Sequence, residues 1–597
     1  MSVDAIAEID DATRFLLGLA EGSCSCIDRH LSKDVTDPFL AKANQLASAG
    51  AHVLIICLDD LAASRYRTRL ANHLALEPAN VATIKQVAMR ILSDVRIASS
   101  VGRDPRVLNE NEMDVLMEDM KVSGIKPRRL REMFKFFCKG ISDCDNEQDG
   151  WLINNEEKRL FALLSENLEA RRAMLPCELS SFAYHGMLKT DAERSSLAVL
   201  ADDFGSLSKA SQRLVEHVAT AGLIVSGSRL AIAGAAEPYP HNEGFLSFGQ
   251  RHGATHVSLR EETSEVRHVY KTFDKPEEEF SFVAEAVSRR VGEGLDPHDV
   301  LVAVPNDAWL SRMADALEQR GLSVRKDGGC VKVKGDPRRP GCFSAMKQAT
   351  FLKLYLDSDD IVALRSWMGF GDWLLRSDAF RELISYARDH DASVLQVVAR
   401  LLEPDGDRHD FRAFDKLRVP LEELSRLLSA CRAGLSRGEV TDLFKEHDMA
   451  LSSDQIALLG DDFACADVKS LAIDACGSLA SDGDEHAVTI AAYRRCHGRF
   501  SRVTFMTGLV DGFMPAADAV DDKFTIDHRR SAFERELALF EDVTATACEE
   551  VVHTLFRRDE LENAAAMNMQ ISRVSIENDV RYAAVVPSSA LPVGRED

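Results

Sequence analysis

The sequence has no long apolar run. No segment approaches the roughly 18 consecutive apolar residues that a membrane helix requires, and AHVLIICL (51–58) is short enough to be a buried strand. The acidic start MSVDAIAEIDDATRF has neither the basic beginning nor the small-residue cleavage site of a secretory signal. We therefore expect a cytoplasmic protein that makes no membrane contact.

Cysteine pairs of the CxxC type are also missing. The chain has 13 cysteines, and an odd number of thiols in a long chain without an export signal argues against a disulfide framework. Cys24 and Cys26 are separated by one residue, which is a poor spacing for zinc. The cysteines therefore predict buried or half-buried thiols.

Positive charge is scarce over the whole chain. Lysine and arginine total 72 against 96 acidic residues, which gives a net charge of −24. Nucleic-acid binding must therefore rely on a local basic surface. Two segments, 126–139 (KPRRLREMFKFFCK) and 325–339 (RKDGGCVKVKGDPRR), are candidates, although a solvated helix face and a solvated loop explain them equally well. The predicted DNA contacts in the first segment are Lys126, Arg128, Arg129 and Arg131.

The order of apolar segments predicts an α/β fold. Strand-like RFLLG (14–18) and HVLIICL (52–58), the second followed by an amphipathic helix, are typical of a parallel sheet with helices on its faces. Helical periodicity dominates from 95 to 190, and strand signals return at 195–204, 228–234 and 255–260. A helical insertion therefore interrupts the first sheet.

A second unit repeats this plan. An amphipathic helix and an apolar strand occupy 275–305, helical sequence fills 343 to about 480, and strands return at 487–493 and 502–515. We predict two parallel-sheet domains, each interrupted by a mainly helical insertion. The predicted segments are 1–94 and 191–265 for the first domain, 95–190 for its insertion, 266–342 and 483–576 for the second domain, 343–482 for its insertion, and 577–597 for a disordered tail.

The segment 199–219 (VLADDFGSLSKASQRLVEHVA) carries the clearest candidate chemistry. Its apolar strand ends in Asp202 and Asp203, which places two carboxylates at the edge of a parallel sheet where α/β ligands bind. In a nucleoside triphosphatase the first carboxylate holds Mg²⁺ and the second orients the attacking water. An exposed acidic strand end is the alternative interpretation.

Several segments, taken in order, resemble the motifs of UvrD/Rep/PcrA-type superfamily 1 DNA helicases. GLAEGSCS (18–25) stands where the phosphate loop G-x-x-x-x-G-K-[ST] belongs. Five further segments follow in the family's order: NVATIKQVAMRILSD (80–94), the acidic segment 199–219, AIAGAAEPYPHNEGF (231–245), RVTFMTGLVDGFMP (502–515) and ELALFEDVTATACEEVVHT (536–554). The resemblance implies two RecA-like motor domains of P-loop NTPase fold with ATP held between them and DNA as the partner.

The resemblance assigns a nucleotide site in which several charges are missing. Cys24 replaces the phosphate-binding Lys, Asp203 replaces a longer Glu, Ser264 or Thr263 and Thr546 stand at the two γ-phosphate Arg positions, and His497 stands at the Lys of K-G-L-E-F. Because one arginine finger is worth roughly 10³–10⁵ in rate, we expect useful hydrolysis to be lost. ATP and Mg²⁺ are therefore cofactors only if the site still functions. The implied nucleotide contacts are Gly18, Gly22, Ser23, Cys24, Ser25 and Gly234, the catalytic acids Asp202 and Asp203, and the Mg²⁺ ligands Ser25 and Asp202.

By the same resemblance, Thr83 and Tyr239 are candidate DNA contacts. The first functional hypothesis is a helicase-like protein without ATPase activity that serves as a DNA-binding or structural subunit in DNA repair or recombination. The inactive motor subunits of bacterial end-processing complexes, of the AddB or RecC kind, offer a parallel, with single-stranded or junction DNA and a helicase or nuclease as partners.

Two alternatives stay open. The first is an active ATP-dependent 3′–5′ DNA helicase in which Arg260 or Arg267, and Arg494 or Arg495, substitute for the lost arginines. The second is an interaction scaffold that binds no DNA, which the net charge of −24 favours.

Overall fold

The structure is a computed structural model. It describes residues 11–20, 22–29, 34–70, 73–190, 196–228, 237–259, 266–327, 336–403, 411–432, 442–443, 445–447, 449 and 487–592. Within these ranges, none of the helices is both long and apolar enough to cross a membrane.

The strands in chain order are β1 (Cys24–Arg29), β2 (His52–Cys57), β3 (Val81–Thr83), β4 (Arg106–Val107), β5 (Ala173–Met174), β6 (Leu197–Ala201), β7 (Leu223–Gly227), β8 (Thr255–Leu259), β9 (Arg267–Phe273), β10 (Val300–Val304), β11 (Val324–Asp327), β12 (Val488–Ala492), β13 (Ser501–Met506), β14 (Ala547–Phe556), β15 (Arg558–Glu560), β16 (Ile571–Glu577) and β17 (Val580–Val585).

The α-helices in chain order are α1 (Asp11–Gly18), α2 (Thr36–Ser48), α3 (Asp60–Arg69), α4 (Ile84–Leu92), α5 (Val95–Val101), α6 (Glu110–Met120), α7 (Pro127–Ser142), α8 (Asn155–Ala170), α9 (Leu179–Thr190), α10 (Lys209–Val218), α11 (Asn242–Leu246), α12 (Phe248–His252), α13 (Pro276–Gly292), α14 (Asp307–Glu318), α15 (Ser344–Leu356), α16 (Ile361–Gly369), α17 (Ser377–Asp389), α18 (Val394–Leu402), α19 (Arg418–Arg432), α20 (Ala517–Val520), α21 (Ile526–Thr544) and α22 (Leu561–Ala566). Short 3-10 helices occupy Pro78–Asn80, Lys121–Ser123, Asp145–Glu147, Pro176–Glu178, Phe204–Ser206, Pro297–Asp299, Asp415–Leu417 and Tyr493–Arg495.

The chain forms two compact units. The first contains residues 1–87, 193–328 and 480–597, and the second contains 88–192 and 329–479. The first unit holds two six-stranded sheets, in the orders β3-β2-β6-β7-β1-β8 and β11-β12-β10-β13-β14-β9. All neighbouring strands in both sheets are parallel. The predicted fold class, α/β with two RecA-like parallel sheets that are each interrupted by helices, is confirmed.

Both faces of the second sheet are covered. In β10, Val300, Val302 and Val304 pack in a core with α13 and α14, whereas Leu301 and Ala303 pack in a core with α21. Successive residues of a strand point to opposite faces, so a strand that is buried on both sides needs a continuous apolar run. The sequence VLVAV meets that requirement, which is why this strand was predictable.

The prediction of a first strand at 14–18 is wrong, because these residues belong to helix α1. Leu16 is fully buried and packs in one core with Phe39 and Leu40 of α2. A short apolar run fits a buried strand and a buried helix equally well. The first strand of the sheet is instead β1, with the sequence CSCIDR, which pairs with β7 on one side and β8 on the other.

The prediction of a disordered tail at 577–597 is wrong for its first part. Strand β17 pairs antiparallel with β15 and β16, and its residues Ala583 and Val585 are buried in the core beneath the second sheet. Asn578 and Asp579 connect β16 to β17 with positive φ angles of 50° and 64°. These are the residue types that two-residue hairpin turns favour. Residues 593–597 lie outside the described part of the chain.

The second unit is built from helices of both insertions. Asp119 of α6 accepts hydrogen bonds from Arg365 of α16, from Nε to Oδ2 at 2.9 Å and from Nη2 to Oδ1 at 2.6 Å. Arg171 pairs with the same carboxylate, and Val362 of α16 packs in the core formed by α6, α7 and α8. The two insertions therefore share one core.

Candidate nucleotide site

The carboxyl ends of β1, β6 and β7 lie side by side at one edge of the first sheet. Ala201 of β6 is level with Val225 of β7, and Ile27 of β1 is level with Ser226. Asp202 and Asp203 directly follow β6, and Arg29 is the last residue of β1. This is the edge at which parallel α/β sheets bind their ligands.

Both carboxylate oxygens of Asp202 have partners inside the protein. Oδ1 accepts a hydrogen bond from Ser226 Oγ at 2.6 Å, and Oδ2 accepts one from Tyr66 Oη at 3.1 Å and one from Arg65 Nη2 at 3.4 Å. The residue is 2% exposed. Asp202 therefore belongs to a closed cluster that excludes solvent.

Asp203 is held between two cations. Its carboxylate forms an ion pair with Arg29, and its Oδ2 lies 3.1 Å from His497 Nε2. Burial by itself would raise the pKa of Asp203, but Arg29 and His497 together hold that pKa far below its usual range. Burial opposes the charge on Arg29 as well, yet Asp203 and Asp202 raise the pKa of its guanidinium. Both groups are therefore charged at neutral pH.

Each ring nitrogen of His497 lies close to a carboxylate. Its Nδ1 lies 2.6 Å from Oδ1 of Asp542, which is in α21. Burial lowers the pKa of an imidazole, but the charges of Asp542 and Asp203 raise the pKa of His497 well above its usual value. The ring is therefore an imidazolium, and it connects the end of a first-sheet strand to a helix that packs on the second sheet.

Arg65 makes a second connection between the two sheets. Its Nη1 donates a hydrogen bond to the carbonyl oxygen of Gly498, and its guanidinium lies 5.2 Å from the ring centroid of Phe500. The same guanidinium pairs with Asp202. Arg65 lies on α3 and Gly498 lies just before β13, so the contacts join residues that are far apart in the sequence.

The N-terminus of α2 is also occupied by a carboxylate. In P-loop proteins the helix after the first strand offers its free backbone N–H groups to phosphate. Here the backbone N–H of Thr36 donates to Asp34 Oδ1 at 2.9 Å, and Asp34 Oδ2 lies 2.9 Å from Arg69 Nη1. Burial would raise the pKa of Asp34, but Arg65, Thr36 and Arg69 lower it. A fixed negative charge therefore lies where a phosphate would bind.

These contacts determine what the edge can do chemically. Each cation that the structure brings to the acidic pair, namely Arg29, Arg65 and His497, already contacts a carboxylate. Removing one partner of a buried ion pair costs about 3–5 kcal/mol. A ligand that drew one of these cations away from its carboxylate would have to recover that free energy. In the described residues, no group of three or more His, Cys, Asp or Glu side chains is arranged to hold a metal ion. The cluster therefore joins the two sheets at this edge.

The predicted phosphate-loop residues do not reach this edge. Gly18 ends α1, Gly22 and Ser23 precede β1, and Cys24 and Ser25 are its first two residues. Ser25 is level with Ile224, below the end of the strand, and β7 separates β1 from β6. Two strand spacings amount to about 10 Å, so Ser25 and Asp202 do not share one Mg²⁺ position. Gly234 lies outside the described residues.

The predicted DNA contacts fall in different places. Thr83, which is 4% exposed, caps the start of α4, because its Oγ1 accepts from the Gln86 backbone N–H at 3.2 Å. Tyr239 is half-buried in a connecting segment. All four predicted basic contacts are exposed on α7 or directly before it in the second unit: Lys126, Arg128, Arg129 and Arg131.

The structure also describes residues on which the active-helicase alternative depends. Thr546, at one of the lost Arg positions, is buried, and its Oγ1 donates to the carbonyl of Val543 at 2.7 Å. Arg494 pairs with Glu536 at 2.6 Å, and Arg267 is an exposed first residue of β9. Arg260 lies outside the described residues.

Sequence reasoning missed four charged members of the cluster: Arg29, Arg65, Asp34 and Asp542. Arg29 was missed because β1 was assigned to the wrong segment. Its signal was the basic residue in CSCIDR, directly before a connection to a helix. The other three lie on helices or at helix ends, where a charged residue is usually solvated.

No protein-family model and no curated protein matches the chain. Among solved structures, the chain is similar to the crystal structure of the Pyrococcus furiosus Hef helicase domain. The identity is 9% over 91% of this chain and 94% of that chain, with a TM-score of 0.23. A likeness at this level does not establish a common function.

Proposed function

We propose that this chain is a helicase-like protein that does not hydrolyse ATP and that acts as a DNA-binding or structural subunit in DNA repair or recombination. One observation carries the proposal: Asp202 and Asp203, the acidic pair that directly follows β6 at the carboxyl edge of the first sheet, are neutralised by Arg29, Arg65 and His497. An active motor needs these carboxylates for Mg²⁺ and for water.

The charge balance at this edge supports the proposal. A triphosphate needs cations and free backbone N–H groups around it. Among the described residues, the nearby cations Arg29, Arg65 and His497 are bound to carboxylates. The Thr36 N–H at the start of α2 donates to Asp34. Catalysis of phosphoryl transfer depends on positioning and electrostatics, and these groups supply neither to a bound nucleotide.

The test is Mg–ATP binding and turnover by the purified full chain. We expect no binding of a fluorescent ATP analogue at millimolar concentration and no phosphate release above background, with or without single-stranded DNA. Asp202→Asn and the control Asp378→Asn, which changes an exposed residue of the second unit, should give the same baseline. Robust DNA-stimulated turnover that Asp202→Asn abolishes would overturn the proposal in favour of the active helicase.

The DNA part of the proposal depends on the four predicted basic contacts at α7. We expect a labelled oligonucleotide to bind with an affinity that falls as salt rises, because cations that neutralise phosphates release counterions. Neutralising Arg128 and Arg131 should weaken that binding and reduce the salt dependence. If no oligonucleotide binds at low salt, the protein is an interaction scaffold instead.

A further inference from the structure

Helix α7 has one apolar face and one cationic face. Pro127 stands in its first turn, where its missing N–H costs nothing. The buried apolar face consists of Leu130, Met133, Phe137 and Ile141. The opposite face carries, at spacings of three and four residues, the exposed side chains Arg128, Arg131, Lys135 and Lys139. Such spacings place side chains on one face of a helix, so these four form a continuous cationic stripe.

An exposed aromatic ring borders this cationic stripe. Phe136 is 42% exposed, and its ring is stacked on Trp151 with centroids 5.9 Å apart and an interplanar angle of 20°. Trp151 is itself fixed, because it meets Phe161 edge to face at 5.1 Å. It also lies so close to Gly140 that an added Cβ would stand 2.8 Å from its ring. Phe136 is therefore an exposed ring on a rigid aromatic support.

The charge of this segment is opposite to that of the whole protein. Residues 126–139 contain six cationic side chains and one carboxylate, in a chain of net charge −24. Arg128 pairs with Glu132 at 3.2 Å, and Lys139 pairs with Asp143. Both pairs are at the surface, where such pairs contribute little, so a phosphate can replace either carboxylate. The local charge therefore matches a polyanion.

We propose that Phe136, supported by Trp151 and bordered by the cationic stripe of α7, is a stacking platform for an unpaired base of a single-stranded nucleic acid. This inference rests on the proposed DNA-binding function, and it specifies that the protein prefers single-stranded to duplex nucleic acid. The cations hold the backbone, and the ring accepts the face of a base. In a duplex that face is covered by the neighbouring base pairs, so the ring selects single strands.

The test compares binding of a labelled 20-nucleotide oligothymidylate and a 20-base-pair duplex by fluorescence anisotropy, using the full chain. We expect Phe136→Ala to weaken oligothymidylate binding by about 5-fold to 150-fold, the range that loss of one stacked base gives, and to leave duplex binding and the salt slope unchanged. Phe136→Tyr should retain wild-type affinity. The matched control is Leu374→Ala, which removes a 54% exposed apolar side chain elsewhere in the same unit.

The outcomes separate this inference from the proposed function. If Arg128→Ala with Arg131→Ala weakens binding but Phe136→Ala does not, the DNA-binding function stands and the stacking platform is rejected. If neither nucleic acid binds the wild-type protein, both are rejected.

A second measurement does not depend on how the variants fold. Photocrosslinking of the wild-type protein to an oligonucleotide that contains 5-bromodeoxyuridine should mark the peptides that include Phe136 or Trp151. Crosslinks confined to other peptides would contradict the platform.

Discussion

His497 lies against Asp203, with 3.1 Å between Nε2 and Oδ2. The histidine precedes a strand of the second sheet, and the aspartate follows a strand of the first. In a nucleoside triphosphatase an acidic residue at the end of a sheet strand serves a bound nucleotide. In this chain the same position contributes a carboxylate to an ionic contact between the two sheets.

Removing the imidazole should destabilise the first unit. In His497→Ala, Asp203 loses one of its two cations and Asp542 loses its partner at 2.6 Å. Breaking a buried pair costs about 3–5 kcal/mol, and we expect a loss of that size in the free energy of unfolding measured with urea. The matched control is His528→Ala, since His528 is exposed and lies 3.6 Å from Asp518. A loss below about 1 kcal/mol for His497→Ala would contradict a stabilising role for the contacts of His497 with Asp203 and Asp542.

The pH dependence of stability should also depend on His497. Its pKa is raised in the folded protein, so the folded state binds the proton more tightly than the unfolded state does. The contribution is complete below the unfolded value of about 6.5 and is lost as pH rises through the folded value. We expect the melting temperature of the wild type to fall above pH 6.5 more steeply than that of His497→Gln. Parallel pH profiles would refute this assignment.

Glu279, in the core of the second sheet, should also make the folded state less stable as pH rises. Its Oε1 accepts hydrogen bonds from the Gly508 N–H at 2.8 Å and from Thr554 Oγ1 at 2.6 Å. Burial raises its pKa from 4.5 to about 7 despite these bonds. The stability that its protonated form contributes is complete below about pH 4.5 and is lost as pH rises to about 7.

The variant that tests this is Glu279→Gln, which keeps an oxygen acceptor and cannot ionise. Because one pKa unit corresponds to about 1.4 kcal/mol, we expect Glu279→Gln to gain about 2–3 kcal/mol relative to the wild type when urea unfolding at pH 8 is compared with unfolding at pH 4.5. Glu285→Gln, on the exposed side of the same helix, should show no such gain. An equal difference for both variants would show that Glu279 ionises normally.

The parts of the fold that could be predicted are those with a local signal. Strands β2 (HVLIIC) and β10 (VLVAV) are buried apolar runs, and runs of that kind specify central strands of parallel sheets. Strand β1 has Ser, Asp and Arg among its six residues and is held by neighbours on both sides. Its position depends on long-range pairing, which no short window of sequence contains.

Only part of the candidate site was predictable. Asp202 and Asp203 could be placed because they end an apolar strand. Their arginine partners could not, because Arg29 is 174 residues from Asp203, and Arg65 is 137 residues from Asp202. The sequence predicted missing charges at the positions given by the resemblance, and the structure shows that cations from other positions pair with these acids.

The shared core of the two helical insertions should depend on one buried arginine. Arg365 is 1% exposed and donates two hydrogen bonds to Asp119, which also pairs with Arg171. In Arg365→Met the carboxylate keeps one of its two cations, Arg171, so we expect a loss of about 3–5 kcal/mol from the second unit. The loss should be visible as an earlier transition in urea and as faster amide exchange in both α6 and α16. Arg381→Met removes an arginine that is about half exposed and should leave both measurements unchanged. Faster exchange in α16 alone would mean that the two insertions unfold independently, because a shared core transmits the loss of Arg365 to both of the helices that it joins.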